Sequence, residues 1–328
     1  MRALLCREHG PVSALAVADL PTPQPGDREV VVRVEAAGLN YPDALMVQGK
    51  YQVKPTLPFV PGMELAGVVS SVGAGVKEVR AGDPVMATST TGAFAEACAV
   101  AVERVLPRPV SLAPELAAAS LITYGTTLYA LEERARLRPG ETVLVLGAAG
   151  GVGTAAVELA KLLGARVIAA ASSAAKLEVC RGLGADETID YAREDLRQRV
   201  KELTGGRGVD VVYDPVGGAY SEAALRSTGW GGRHLVIGFA TGEIPKIPLN
   251  LALLNARSIV GAYWGDWSQR NREASAAGLA RIADWIGAGK LRPVITRRLR
   301  LEEVPGAMED LLQRRAHGKL VVVPSTRA

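Results

Sequence analysis

The chain has 328 residues and a formal net charge of +4, with 48% hydrophobic and 22% charged residues. That balance excludes a chain disordered by composition and leaves apolar material for about two domains. The basic residues are scattered, Arg297-Arg298-Leu299-Arg300 being the densest run, so the clustered basic face of a nucleic-acid binder is not expected.

Cys6, Cys98 and Cys180 are few, odd in number and far apart. Neither a disulfide framework nor a zinc ribbon fits them, and a reducing, cytoplasmic setting is expected. The opening apolar run is too short and too charged for a signal peptide. No stretch of about 18 uninterrupted apolar residues occurs, so no membrane span is expected.

In chain order, the first 110 or so residues read as β-rich. Glu29 to Glu35, Leu65 to Val72, Pro84 to Ala87 and Phe94 to Val102 are short extended runs broken by Gly and Pro, as in a small barrel-like unit. Glu115 to Leu131 is helical in composition. Thr142 to Leu146 is a continuous apolar strand of the buried parallel type. A glycine-rich turn, Gly147 to Gly153, follows, then a helix over Thr154 to Leu163 stopped by Gly164. Arg166 to Ala171, Glu187 to Asp190, Val209 to Tyr213, His234 to Ile237 and Ser258 to Tyr263 are further strands, with a helix over Ala174 to Gly182 after the first of them. This alternation predicts an α/β, doubly wound parallel sheet. Arg270 to Ile286 and Glu302 to Arg315 read as helices, Val294 to Leu301 as extended, and Leu320 to Val323 as a closing strand.

Ala148-Ala149-Gly150-Gly151-Val152-Gly153 lies between a strand and a helix, the context that gives an A-x-G-x-x-G pattern meaning. Gly150 and Gly151 have no Cβ to keep a diphosphate away, and Gly153 allows close packing of helix on strand. The helix N-terminus that follows offers N–H groups and the positive dipole end to the phosphates, and Val152 is expected with Gly150 and Gly151 among the cofactor contacts. The second strand ends in Ala171-Ser172-Ser173-Ala174-Ala175-Lys176, without the carboxylate that binds a ribose 2′-hydroxyl in NAD sites. Ser172, Ser173 and Lys176 suit a 2′-phosphate, and Tyr191, after the third strand, is placed to stack or bond nearby. The cofactor expected is therefore NADPH.

Several segments together resemble the medium-chain dehydrogenase/reductase superfamily, and within it the zinc-free, zeta-crystallin-like NADPH:quinone oxidoreductases. They are Ala36 to Asp43, Gly49-Lys50-Tyr51, Val60 to Gly67, Val79 to Asp83, the glycine turn, Gly205 to Asp210, and Asp214 to Gly217. The resemblance spans nearly the whole chain. It implies a discontinuous GroES-like catalytic domain over 1–118 and 265–328, interrupted by a Rossmann domain over 119–264. The zinc-dependent members hold their metal by a cysteine where this chain has Asn40, and by the histidine of a Gly-His-Glu motif that reads Gly62-Met63-Glu64 here. Catalytic zinc takes about three protein ligands, so no metal is expected.

The resemblance also implies site residues. Asn40 and Asp43 are expected near the nicotinamide, Asn40 as a donor and Asp43 as an anchor of its loop or a direct participant. Tyr51 matches a proton donor of related enoyl-thioester reductases, or else only lines the pocket. Thr127 is expected under the nicotinamide. Gly238, Phe239 and Ala240, and Tyr263, Trp264 and Gly265, are expected around it, with Lys319 reaching the 2′-phosphate. A small quinone is the implied acceptor. An enal, enone or enoyl thioester is the alternative, and a structural or RNA-binding role a distant third. A homodimer is implied, with Ser258 to Tyr263 as the exposed sheet edge.

Overall fold

The computed structural model describes residues 1–324. The chain opens with β1 (Arg2–Leu5), β2 (Ala16–Asp19), β3 (Glu29–Leu39), α1 (Tyr41–Val47), β4 (Glu64–Val72), β5 (Pro84–Thr88), β6 (Ala97–Ala101) and β7 (Val105–Pro107). Next come α2 (Pro114–Ala118), α3 (Leu121–Leu128), β8 (Thr142–Leu146), α4 (Gly151–Leu162), β9 (Arg166–Ala171), α5 (Ala174–Gly182), β10 (Glu187–Asp190) and α6 (Leu196–Leu203). The remainder is β11 (Val209–Asp214), α7 (Ala219–Arg226), β12 (Thr228–Val236), α8 (Asn250–Leu253), β13 (Ser258–Gly261), α9 (Trp264–Arg270), α10 (Arg272–Gly287), β14 (Ile295–Leu299), α11 (Val304–Leu312) and β15 (Lys319–Val322).

These elements form two units. One comprises Met1–Ile122 together with the chain from Arg272 onward; the other is Thr123–Asn271. The sequence reading put the junctions at 118/119 and 264/265.

The first unit is built on a sheet ordered β14-β15-β3-β4-β5-β7, with β6 also paired to β3. All its pairings are antiparallel except β14 with β15. Val30, Val32, Val34 and Leu39 of β3, Leu65 and Val69 of β4, and Leu320 and Val322 of β15 share one core with Val304, Ala307 and Met308 of α11. The long β3 carries two register shifts against β4, and such bulges bend a sheet toward closure.

The second unit holds a six-stranded sheet ordered β10-β9-β8-β11-β12-β13, parallel throughout. In β8 and β9 every residue after the first is buried, which is why these strands read as unbroken apolar runs. The strand order reverses between β8 and β11. That switch point, at the carboxyl ends of the strands, is where open α/β sheets bind ligands.

Local boundaries differ from the sequence reading in instructive places. The helix expected over 115–131 is broken, because the Ser120 hydroxyl bonds the Ala117 carbonyl between α2 and α3, and the chain widens to a π-helical turn over Tyr129–Arg134. The helix expected over 270–286 is α10, which begins two residues later at Arg272; a further helix not expected from the sequence, α9, precedes it and ends at its C-cap, Asn271 (φ −126°, ψ 56°). The last strand of the parallel sheet stops at Gly261, short of Tyr263.

Candidate functional site

At the switch point of the second unit, Gly147 (φ +56°) turns the chain out of β8, and a Cβ there would meet Val216 at 2.9 Å. The Ala148 amide donates to the Ala170 carbonyl, tying the turn to the end of β9. Gly150 is the N-cap of α4, which starts at Gly151, three residues earlier than the sequence suggested. Gly151 and Val152 therefore belong to the first helical turn, whose N–H groups have no carbonyl four residues back. No side chain caps this end and no acid lies in its first turn. A Cβ on Gly153 would stand 2.2 Å from the Gly147 carbonyl oxygen, so only glycine lets the helix sit this close to the turn. The result is a cradle of backbone donors with room for an anion.

The end of β9 makes a second subsite. Ser172 is exposed, and Ser173 caps α5 by accepting from the Lys176 amide at 3.4 Å. There is no acid in the first turn of α5 either. The Tyr191 amide donates to the Ala171 carbonyl, one residue before Ser172, and its ring lies 4.5 Å from that of Tyr220. The three segments that carry the expected residues thus follow the carboxyl ends of neighbouring strands β8, β9 and β10.

A third group lies beyond β11 and β12. Asp214 is buried. Its Oδ1 accepts from the amides of Val216 and Gly217, and its Oδ2 from the Ser221 hydroxyl at 2.5 Å, with His234 Nε2 at 3.1 Å. Burial by itself would raise this carboxyl, but His234, Ser221 and the Gly217 amide hold it below the ordinary carboxylate range. The cluster fixes the turn 214–217, on which 237–241 is laid: Ile237 and Gly238 donate to Asp214 O, Ala240 to Pro215 O and Thr241 to Val216 O. Gly238, Phe239 and Ala240 are partly exposed on this ledge. The polar cluster escaped sequence reasoning, although a histidine among the apolar residues of β12 was its visible signal.

Other expected residues are placed differently. Thr127 is 0% exposed, and its hydroxyl is held by the Thr123 carbonyl and the Tyr213 hydroxyl, each at 2.8 Å. The same hydroxyl lies 3.5 Å from the Val152 carbonyl of the glycine-rich turn. Trp264 is buried at the start of α9, and Trp267 stacks on Tyr129 at 4.5 Å. Tyr263, by contrast, is 49% exposed, and Gly265 packs beside it.

In the first unit the largest correction concerns Lys319. It is 2% exposed, and its Nζ donates to Glu64 Oε1 (2.7 Å), Asn40 Oδ1 (2.8 Å) and the Leu39 carbonyl (3.1 Å). An ammonium has three protons, and all are used, so none is left for a 2′-phosphate. Asn40 is likewise spent: its amide nitrogen donates to Glu64 Oε1 at 2.7 Å and to Gly38 O at 3.3 Å, which corrects the expected donor to substrate. Asp43 anchors α1 by accepting from the Asn40 amide at 2.8 Å, while its other oxygen is buried without a partner. Desolvation pushes its carboxyl up to about 7, against the pull of the Asn40 amide and Lys319. Tyr51 follows α1, partly buried against the core of this unit.

With this geometry in hand, comparison with known proteins is specific. Residues 26–110 match the alcohol dehydrogenase GroES-like domain, and residues 151–280 the zinc-binding dehydrogenase family. The chain is 40% identical over 325 residues to the quinone oxidoreductase-like protein 2 homolog of Nematostella vectensis, covering 98% of this chain and 88% of that one. It is 36% identical over 320 residues to the quinone oxidoreductase of Pseudomonas aeruginosa, covering 96% and 97%. The structure of Escherichia coli quinone oxidoreductase complexed with NADPH superposes with a TM-score of 0.92 at 30% identity, over 99% of this chain and 100% of that one. The fold is thus a Rossmann-like parallel sheet with a GroES-like domain, the pairing that defines medium-chain dehydrogenases/reductases. The chain belongs to the quinone oxidoreductases of that superfamily, and it is an oxidoreductase.

The family description implies zinc, but the side chains at the corresponding places have other partners. Asn40 and Glu64 have their side-chain atoms committed to Lys319, to each other and, for Glu64 Oε2, to the Ile122 amide at 2.8 Å. Met63, partly buried against the hydrophobic core of this unit, offers only a weak thioether. Among the described residues no three His, Cys, Asp or Glu side chains gather as a metal site. These residues do not fit a catalytic zinc. Among the described residues no helix is long and apolar enough to cross a membrane.

Proposed function

We propose that this protein is an NADPH-dependent, zinc-independent reductase of quinones. One observation carries the reading: a glycine cradle for a diphosphate stands beside a strand end that offers two serines and a lysine and no carboxylate. The NADPH held by the Escherichia coli relative supports the choice of cofactor, and the names of the relatives support the acceptor.

NADPH, when bound, supplies the hydride. The protein's part is binding and orientation. The amides of Gly151 and Val152, with Gly150 leaving the approach open, would hold the diphosphate. Ser172, Ser173 and Lys176 would take the 2′-phosphate, with Tyr191 beside it. The ledge Gly238-Phe239-Ala240 would line the nicotinamide end. A quinone takes up negative charge on oxygen and draws protons from water, so it needs neither a metal nor a dedicated acid. That requirement agrees with a site in which Asn40, at one of the zinc-ligand positions of the metal-dependent members, is bonded to a lysine.

A second reading, reduction of an enone or enoyl thioester, is favoured by Tyr51. Its phenol, with an ordinary pKa of about 10, is able to protonate an enolate. A homodimer joined along β13 is supported by the exposed edge of that strand, where Ile259 is 41% exposed. The three buried free cysteines agree with a cytoplasmic setting.

The test is NADPH oxidation by protein dialysed against a strong chelator, with quinones, enals and enoyl thioesters as acceptors and NADH as the control. Quinone turnover that survives chelation and prefers NADPH is the expected result. Equal use of NADH, or a need for added zinc, would overturn the reading. Tyr51→Phe that loses enone turnover alone would establish the second activity.

A further inference from the structure

Four side chains nearly or wholly withdrawn from water meet where β3, β4, β15 and α1 converge: Asn40, Asp43, Glu64 and Lys319. The Lys319 ammonium is saturated by three oxygens, as described above. Glu64 has no exposure and is also saturated, by Lys319 and the Asn40 amide group on one oxygen and by the Ile122 amide on the other. Space for it is made by Gly38, where a Cβ would lie 2.2 Å from Glu64 Oε1. Withdrawing a lone ammonium or carboxylate from water costs several kcal/mol, so neither ion is tolerable here without the other.

The pair also decides an orientation. Asn40 can turn its amide either way around, but only one way directs its oxygen at an ammonium and its nitrogen at a carboxylate. Asn40 immediately precedes α1, and its backbone amide is held by Asp43 within that helix. The chain leaving α1 bears Tyr51. A cation on the last strand of the chain is thus coupled, through one asparagine, to the helix that precedes the proposed proton donor.

We propose that Lys319 is a positioning residue, a built-in cation that neutralises Glu64 and locks Asn40 so that α1 and the loop bearing Tyr51 are preorganised for reduction of the acceptor. The ammonium serves as the organising positive centre in a region where metal-dependent members of the superfamily carry ligands. As an account of catalysis this rests on the reductase reading above; as an account of the internal charge pair it does not.

The experiment uses the full chain with Lys319→Ala, Lys319→Arg, Lys319→Met and the double variant Lys319→Met/Glu64→Gln. Thermal unfolding, NADPH affinity by fluorescence titration, and kcat and KM for the acceptor are measured with methylammonium chloride, tetramethylammonium chloride or sodium chloride at equal ionic strength. Lys319→Ala is expected to keep NADPH affinity, to lose roughly tenfold or more in kcat, and to melt lower. Methylammonium, small enough to refill the space, should restore both Tm and kcat beyond either salt control. The double variant should regain Tm over Lys319→Met, since no carboxylate is left unpaired, but not kcat. Lys319→Arg should fall between Lys319→Ala and the unmodified protein.

Unchanged Tm and kcat in Lys319→Ala would overturn the proposal, as would deficits that methylammonium repairs no better than sodium. Full kcat in the cation-free double variant would overturn the positioning role. Should Lys319→Ala fail to fold, the comparison of the double variant with Lys319→Met still decides. Should the unmodified protein turn over no acceptor, the reductase reading fails by itself, and Tm and methylammonium rescue continue to judge the charge pair.

Discussion

The α-hydrogen side of Gly153 faces the carbonyl oxygen of Gly147 so closely that a Cβ would stand 2.2 Å away, with Ala148 Cα at 2.8 Å. These are backbone atoms, which cannot swing aside as a side chain would. The contact sets how deeply the first turn of α4 enters the loop, and hence where its free N–H groups point.

Gly153→Ala is therefore expected to lower stability by about 1–3 kcal/mol, the usual cost of overpacking. It should also weaken NADPH binding roughly tenfold, about 1.4 kcal/mol. Gly182→Ala is the control: a Cβ there meets nothing within 4 Å, and the residue closes α5. Thermal melts and NADPH titration of both variants check the claim; a Gly153→Ala protein that binds and melts like the unmodified one would refute it.

Ser172→Asp puts a carboxylate where the strand end now presents a hydroxyl. Repulsion of the 2′-phosphate and a new acceptor for a 2′-hydroxyl act in the same direction, toward NADH. Loss of one charged hydrogen bond is worth about 1.5–3 kcal/mol, so the ratio of kcat/KM for NADPH over NADH should fall roughly ten- to hundredfold. Lys176→Ala should lower the same ratio mainly through KM for NADPH. A ratio that neither variant moves would remove the phosphate from this corner.

Asp43 is predicted to make stability depend on pH. Its folded value of about 7 lies above the ordinary 3.8, because burial leaves one carboxyl oxygen without a partner and so favours the neutral acid. The fold binds the proton more tightly than the unfolded chain does. Its contribution is complete below pH 3.8 and is lost as pH rises through about 7. Asp43→Asn keeps an acceptor for the Asn40 amide without the charge. Its Tm should fall less than that of the unmodified protein across this window, a difference that scanning calorimetry at several pH values will read.

The exposed edge at β13 predicts the assembly. Size-exclusion chromatography with light scattering should give twice the chain mass for the unmodified protein. Ile259→Asp, which sets like charges against each other across a twofold strand pairing, should yield monomer. A monomer at every concentration of the unmodified protein would discard the edge-strand dimer.

Much of the second unit was legible beforehand, because its signals are local. An apolar strand, a glycine turn and a helix adjoin in sequence, and the serines and lysine on which the cofactor proposal rests follow the second strand in the same short stretch. The helix break at Ser120 was not legible, since alanine-rich composition favours helix on both sides and one hydroxyl-to-carbonyl bond interrupts it. Tyr263 and Trp264 read alike in the sequence, yet Tyr263 is half exposed and Trp264 buried, because a sequence does not tell which way an aromatic side chain turns.

By itself the sequence determined the parallel sheet, the glycine-rich turn between strand and helix, and the absence of an acid at the end of β9, for each follows from spacing and side-chain type within a few residues. Only the tertiary structure decided the partners of Lys319 and Thr127. Lys319 lies 255 residues from Glu64 and 279 from Asn40 along the chain, and it is the pairing of β15 with β3 that carries it to them. A lysine at the head of an apolar strand is free to be assigned to a cofactor phosphate until the strand's neighbours are known, and burial then leaves its charge no other place to go.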